Sequence, residues 1–348
     1  MNVLAQAAGG IGVPPQRIPG LEHHVDESLQ ILRGQLRDIA RSSADLPLIL
    51  LQCGDLEAYG ADMGNLAAQP FPGWDFWSAE RSSSRPPEPS AGFHPIDVFG
   101  NHDVWPGTPL MHRKSNLYAN VLAAMSQRPE FGGPIPDRTD VPVPGGRIEI
   151  YRFNTVHDSA QWQTLARGKV NRHLGRQTSY PLSGGTDPLD ELECLVAQPS
   201  RLREAGDFAV RILVTHHPPH LFDWSPTMRL RVGRLGGAED LAEILGERSI
   251  QLLIAGHRHA WDPKDGVELP NPDVVSSQPP LPAGVVQLVA DTPTQFKRAT
   301  ASSFCVYTLR TVGSTRLQIL RQIYTLRGRL DTRFTAHPVR QIAQLQLA

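Results

Sequence analysis

The spacing of apolar residues predicts a helix followed by a buried strand near the start of the chain. Between residues 25 and 39 the apolar side chains recur every three or four positions, at Val25, Leu29, Leu32, Leu36 and Ile39. Residues 47–51 form a short apolar run, which is typical of a strand buried on both faces of a sheet. A glycine at position 54 then favours a turn.

Further apolar runs repeat this pattern along the chain. Each of them ends in a polar loop, and they cover residues 95–99, 209–215 and 250–255. Helical patterns lie between and around them, at residues 115–126, 188–198 and 238–247. Strands that alternate with helices predict a layered α/β fold. In sheets of this kind the functional residues collect at the carboxyl ends of the strands.

The pattern changes late in the chain, where strand-like runs follow one another with little helix between them. Residues 284–291, 303–309 and 316–323 are expected to form consecutive antiparallel strands. We expect an irregular segment at residues 1–24, one domain at residues 25–324, and a C-terminal extension at residues 325–348. Two stretches rich in proline and serine predict long surface loops at residues 78–91 and 267–284.

Polar residues follow four of the predicted strands, and most of their side chains can bind metal ions. The four groups are Gly54-Asp55, Gly100-Asn101-His102-Asp103, His216-His217-Pro218 and Gly256-His257-Arg258-His259. Taken singly, each group could simply be a turn or the end of a strand. Taken together, they occur in a fixed order, each of them after an apolar run. The separations between Asp55, Asn101, His216 and His257 are 46, 115 and 41 residues. Carboxylate, amide and imidazole ligands in one set suit zinc, manganese or iron.

These four groups resemble the second to fifth motifs of the calcineurin-like metallophosphoesterase family, over residues 48–323. Residues 147–154 also resemble an edge strand of that family. The resemblance implies an α/β fold with mixed sheets, arranged as a four-layer α-β-β-α sandwich. It also implies hydrolysis of phosphodiesters or phosphomonoesters by a metal-bound hydroxide at a dinuclear site.

The resemblance assigns the metal ligands residue by residue. Asp55 would bridge two divalent ions of manganese, iron or zinc. Asn101, His216 and His257 would complete the ligands of one ion, and His259 would serve the other. Of the two adjacent histidines, the family pattern selects His216, which leaves His217 as a supporting or structural residue.

Two residues receive catalytic roles from the same resemblance. His102 would act as the acid near the leaving group. Asp103 would orient His102 through a hydrogen bond, as carboxylates do for many catalytic imidazoles.

The family's first motif, Asp-x-His, is not found in residues 1–20, and the first strand would be missing with it. Three explanations stay open: the intact protein begins upstream of Met1, the domain is a degenerate relative, or nearby residues replace the ligands. The candidate replacements lie close to the start of the predicted helix, and they are Glu22, His23, His24 and Asp26. The alternative function is therefore a metal-binding or scaffold domain without catalysis.

Charge and composition limit the classes of binding partner that we expect for this chain. The 348-residue chain has 34 Lys and Arg against 35 Asp and Glu, so it lacks the basic field that binds long nucleic acids. A small phosphate-ester substrate is expected. The chain has no apolar run long enough to span a membrane, which predicts no membrane partner and a cytoplasmic location. The three cysteines are far apart in sequence and predict no disulfide framework.

Overall fold

The computed structural model describes residues 21–43, 46–53, 93–98, 100, 137–155, 168, 170, 188–199, 208–219, 235–257, 274–276, 281–289, 302–313, 315–326 and 331–347. The helices in these ranges are α1 (Leu21–Ser42), α2 (Pro188–Ala197) and α3 (Ala238–Glu247). The strands are β1 (Leu48–Gln52), β2 (Phe93–Asp97), β3 (Asp137–Val143), β4 (Gly146–Arg152), β5 (Phe208–Thr215), β6 (Leu252–Ala255), β7 (Val274–Ser276), β8 (Val286–Val289), β9 (Ser302–Val312), β10 (Arg316–Leu326), β11 (Thr335–Ala336) and β12 (Arg340–Gln346).

Within the described ranges, six strands form a mixed sheet in the order β3-β4-β5-β6-β8-β7. The four inner strands run parallel to one another, whereas β3 and β7 lie antiparallel at the two edges. The inner strands are mostly apolar and buried, as expected for parallel strands that are covered on both faces. The predicted α/β architecture with mixed sheets is confirmed.

One face of this sheet packs against two helices. Tyr151 of β4 and Phe153 just after β4 lie on this face, together with Leu213 of β5. They share a buried apolar cluster with Leu192 of α2 and Leu241 of α3. Because alternate residues of a strand point to opposite faces, the neighbours of these side chains must be covered from the other side.

The opposite face packs against a second set of strands. Ile150 of β4 and Ile212 of β5 lie in one cluster with Leu317 and Ile319 of β10. The pair of parallel strands β1 and β2 borders the same cluster, with Leu51 packed against it. The main apolar interior of the described part of the chain therefore lies on both sides of the mixed sheet.

The second sheet is antiparallel and has β10 at its centre. β9 pairs with the whole length of β10, while β12 and β11 pair with its other side. The outer face of β10 carries Tyr324 and Leu326, which cluster with Ile31 and Leu32 of α1. Phe304 of β9 stacks on Tyr324 with ring centroids 4.8 Å apart. The helix α1 thus covers the side of this sheet that faces away from the mixed sheet.

A buried carboxylate ties three strands of the mixed sheet together. Glu149 of β4 is 1% exposed, and its Oε1 lies 2.7 Å from Arg147 Nε and 3.0 Å from Arg138 Nη2. Its Oε2 accepts hydrogen bonds from Tyr151 Oη at 2.8 Å and Arg211 Nε at 2.9 Å. We call these five residues the Glu149 network. Burial alone would raise the pKa of Glu149, but the hydrogen bonds from Arg147 and Tyr151 and the nearby guanidinium charges lower it below its usual value.

Several sequence-based expectations differ from the structure. β8 was expected to pair antiparallel with the next strand, but it lies parallel to β6, because its four residues are all buried and suit an inner position. β4 is not an edge strand, since β3 covers it. The helix α1 begins at Leu21 rather than at residue 25, and the expected loop at residues 267–284 contains β7.

The C-terminal residues are also more regular than expected. β12, within the segment predicted as an extension, forms part of the second sheet through its pairing with β10. The predicted helix at residues 115–126 lies outside the described residues, and the domain boundaries stay a prediction. Among the described residues, no helix is long and apolar enough to cross a membrane.

Candidate metal centre

Two of the predicted ligands lie side by side at one edge of the mixed sheet. His216 directly follows β5, and His257 follows β6 after Gly256. β5 and β6 are parallel neighbours, and their last residues, Thr215 and Ala255, are partners in the sheet register. Because parallel strands end at the same edge, the two histidines meet there, as the sequence predicted.

The ring of His216 is fixed by a backbone carbonyl. The side chain is fully buried, and its Nδ1 lies 2.6 Å from the carbonyl oxygen of Cys53, just after β1. Since a carbonyl only accepts, Nδ1 carries the proton and the lone pair is on Nε2. Metal-binding histidines are commonly held in this way, with one ring nitrogen bound to a carbonyl and the other available to the ion.

The ring of His257 reaches His216 because of an unusual backbone turn. His257 has φ of +69°, in the left-handed region that few residues other than glycine adopt. The preceding Gly256 donates its backbone N–H to the carbonyl of His216 at 3.0 Å. A side chain at Gly256 would place Cβ 2.5 Å from the carbonyl oxygen of Cys53, so only glycine fits between these segments.

The distance between the two rings fits a shared ion. His216 Nε2 and His257 Nδ1 are 3.1 Å apart. Two nitrogen ligands bound about 2.1 Å from one ion, at an angle between about 90° and about 109°, are separated by about 3.0–3.4 Å. A proton on His257 Nδ1 can also join these two nitrogens through a hydrogen bond. An ion would take the place of that proton.

The structure adds a third imidazole to this pair. His217 is fully buried, and its ring centroid lies 4.4 Å from that of His257 and 4.7 Å from that of His216. The potential ligand atoms of the three histidines all lie within 4.8 Å of one another. We call this group the histidine cluster. Imidazole nitrogens suit zinc, iron, nickel and copper, so the donor set fits a transition metal.

Sequence reasoning missed the partner that holds His217. Thr155 follows β4, and its Oγ1 lies 2.9 Å from His217 Nδ1 and accepts a hydrogen bond from the His217 backbone N–H at 3.0 Å. Thr215 Oγ1 donates to the carbonyl of His217 at 3.1 Å, which supports the bend after β5. A signal was present in the sequence, since Thr155 is a polar residue at the end of a buried strand like the other site residues.

The remaining predicted site residues lie outside the described residues. They are Asp55, Asn101, His102, Asp103 and His259. Their assignment as ligands and catalytic groups therefore stays a prediction, as do the second ion and the Asp-x-His replacements.

Comparisons with known proteins leave the family open. No model of a known protein family matches this chain, and no curated protein matches it. Among solved structures, the chain is similar to a Staphylococcus aureus protein provisionally designated a 5'-nucleotidase, in complex with alpha-ketoglutarate. The two are 10% identical with a TM-score of 0.26, and the match covers 84% of this chain and 53% of that one. The chain spans about half the length of that protein, and a likeness this distant carries no argument about fold or function.

Proposed function

We propose that this chain is a metal-dependent hydrolase of small phosphate esters. The observation that carries the proposal is the approach of His216 Nε2 and His257 Nδ1 to 3.1 Å at the carboxyl edge of the mixed sheet. A neighbouring carbonyl fixes the tautomer of one ring, and a left-handed turn aims the other. Such convergence of a buried and a half-buried imidazole is expected of a metal site and has no evident role in packing.

The packing of the elements supports the fold that the motifs imply. The helices α2 and α3 cover one face of the mixed sheet, the antiparallel sheet covers the other, and α1 covers the far side of that second sheet. We infer a four-layer α-β-β-α sandwich of the metallophosphoesterase type from this order. In that arrangement the carboxyl ends of β5 and β6 meet Cys53 at the end of β1.

The proposed roles of the ligands follow from their places in the chain. His216 and His257 would hold one ion together with Asn101, His259 would hold a second ion, and Asp55 would contribute to both. Residue 55 is two positions after Cys53, and two residues of chain span at most about 7 Å. Two divalent ions of manganese, iron or zinc, when bound, would lower the pKa of a coordinated water and neutralise charge on the phosphate oxygens.

The remaining chemistry is assigned to the residues after Asn101. His102 donates a proton to the oxygen of the leaving group, and Asp103 holds its ring through a hydrogen bond. Phosphoryl transfer depends mainly on position and charge, so a set of ligands and one imidazole suffices. The near-zero net charge of the chain favours a small ester over a long nucleic acid. A cytoplasmic location remains part of the proposal.

The second candidate is a metal-binding or scaffold domain that does not catalyse hydrolysis. The sequence feature that favours it is the lack of Asp-x-His in residues 1–20. Such a domain would still bind an ion through its histidines. The two candidates therefore differ in turnover and agree in metal binding.

The test compares hydrolysis of bis-p-nitrophenyl phosphate and p-nitrophenyl phosphate with added manganese. We expect His257→Ala to lose both metal binding and hydrolysis. His102→Ala should retain metal binding but lose turnover by about 10²–10⁴-fold, the usual contribution of a general acid. His337→Ala is the matched control, since His337 is likewise partly buried and bonded to a side chain, Thr325.

The outcomes separate the two candidates. Hydrolysis that disappears in both site variants and persists in the control supports the enzyme. Metal binding without hydrolysis in the unaltered chain would favour the scaffold. Hydrolysis that survives His257→Ala would overturn the proposed site.

A further inference from the structure

His217 lies inside the cluster rather than behind it. The motif pattern leaves this residue in a supporting role, yet its ring is closer to His257 than the ring of His216 is, at 4.4 Å against 4.9 Å between centroids. The chain bends directly after β5, so two successive residues can turn their side chains toward the same point. Position alone thus makes His217 a candidate ligand.

The orientation of the ring is tightly determined from two sides. Thr155 Oγ1 holds the Nδ1 edge at 2.9 Å. On the other side, a Cβ on Gly168 would lie 2.5 Å from His217 Cγ and 2.6 Å from Nδ1. Gly168 is itself held by Gly236, whose backbone N–H donates to its carbonyl at 2.9 Å. With Nδ1 turned toward Thr155, Nε2 points away from it along the ring.

The hydroxyl of Thr155 can pair with Nδ1 of His217 in either tautomer of the ring. Its oxygen accepts the backbone N–H of His217 at 3.0 Å and has a second lone pair for the ring. If Nδ1–H donates to that lone pair, Nε2 presents its own lone pair to an ion. In the opposite tautomer the hydroxyl donates to Nδ1, and Nε2–H becomes a hydrogen-bond donor.

We propose that His217 is a third ligand of the ion held by His216 and His257, through Nε2, and that Thr155 is the positioning residue that fixes this tautomer. The inference rests on the proposed function only in placing an ion at that site. It changes the predicted chemistry of the site, because a neutral set of three imidazoles favours zinc, iron, nickel or copper over magnesium or calcium.

The experiment counts imidazoles around the ion and does not depend on hydrolysis. The full chain is loaded with Co²⁺ or Zn²⁺, and X-ray absorption of the bound metal reports the number of imidazole rings. The same binding is measured by competition with a chromophoric chelator for His217→Gln, Thr155→Val and Thr155→Ser. Thr325→Val is the matched control, because Thr325 Oγ1 lies 2.9 Å from the ring nitrogen of His337 in the other sheet.

We expect three imidazoles in the unaltered chain and a changed visible spectrum of bound Co²⁺ in His217→Gln. Thr155→Val should weaken binding by about 10–100-fold, as is usual when the partner of a liganding histidine is removed. Thr155→Ser should restore it, and Thr325→Val should leave it unchanged. Thermal unfolding of each variant identifies any that fail to fold, in which case the imidazole count of the unaltered chain decides.

Each result either supports the inference or overturns it. Two imidazoles around the ion, or an unchanged Co²⁺ spectrum in His217→Gln, would reject His217 as a ligand. The tautomer with the proton on Nε2 would then explain its contact with Thr155. An unaltered chain that binds no metal would reject this inference and the proposed function together. Three imidazoles in a chain that hydrolyses nothing would sustain the ligand and reject the hydrolase.

Discussion

The mixed sheet holds two buried polar groups of different kinds. In the middle of β4 and β5, the Glu149 network surrounds a carboxylate with three guanidinium groups and a phenol. At the carboxyl ends of β5 and β6, the histidine cluster gathers three imidazoles, and among the described residues it includes no carboxylate. The network surrounds one carboxylate with hydrogen-bond donors, whereas the cluster brings ring nitrogens that can bind a cation close together.

This difference indicates what each group contributes. A buried ion network whose members satisfy one another acts within the fold, and breaking one member leaves buried charges uncompensated. Imidazoles turned toward one another can bind a cation in place of the proton between them, because each neutral ring has one nitrogen that accepts. We therefore assign stability to the Glu149 network and binding to the carboxyl ends of β5 and β6.

The largest effect should come from breaking the network. Glu149→Ala leaves Arg138, whose side chain is 7% exposed, without one of its two carboxylate partners, and removes the carboxylate from Arg211 as well. We expect a loss of about 3–5 kcal/mol in the free energy of unfolding, measured by urea denaturation. Metal affinity should stay unchanged. A variant that keeps its stability but loses metal affinity would contradict this division of roles.

A smaller effect is expected from crowding the histidine cluster. Gly168→Ala would push a methyl group against the ring of His217, which should cost about 1–3 kcal/mol of stability and also weaken metal binding. Gly34→Ala is the control, since no atom lies within 4 Å of its Cβ and it sits inside α1. There the same substitution should stabilise the protein by about 1 kcal/mol. Equal stability of the two variants would show that the space around His217 is not restricted.

The smallest effect is a change in the acid dependence of stability. The pKa of Glu149 is lower in the folded protein than its ordinary value of 4.5, so the unfolded chain takes up a proton first as the pH falls. The stabilisation is complete above about pH 4.5 and is lost as the pH falls through the folded pKa. Glu149→Gln should therefore give a shallower decline in unfolding free energy in that range. If the unfolding free energy declines equally with pH in both proteins, groups other than Glu149 cause the acid sensitivity.

Much of the scaffold could be predicted because it depends on local patterns. The runs at residues 47–51, 209–215 and 250–255 became β1, β5 and β6, with shifts of at most two residues at either end. The helix expected at residues 238–247 has those bounds in the structure. Continuous apolar runs and a helical repeat indicate directly which residues are buried. These elements could therefore be predicted without knowing which other elements pack against them.

Predictions failed where the structure of a segment depends on which strand lies beside it. The apolar run of β8 indicates burial but not which strand lies beside it, and the structure places it next to β6 in parallel. β3 has charged residues at Asp137, Arg138 and Asp140 and was not predicted as a strand. It pairs along its whole length with β4, and Arg138 contacts Glu149 on that strand. The spacing of apolar residues cannot predict such a contact between strands.

The candidate site shows the same limit. The sequence order placed His216 and His257 together, since both follow neighbouring parallel strands. The role of His217 depends on Thr155, which is 62 residues away in sequence, and on the close approach of Gly168. Contacts between residues so far apart in sequence depend on how the strands pair, so the sequence pattern alone does not predict them.

The left-handed conformation of His257 affects how selective the site can be. Holding a residue other than glycine in that region costs about 1–3 kcal/mol, which the surrounding fold must supply. The direction in which the side chain leaves the backbone is therefore set during folding, which lowers the cost of ordering it when an ion binds. A pair of nitrogens 3.1 Å apart suits ions that form short bonds to nitrogen. Ions with long bonds to nitrogen should consequently exchange faster from this site than small ions do.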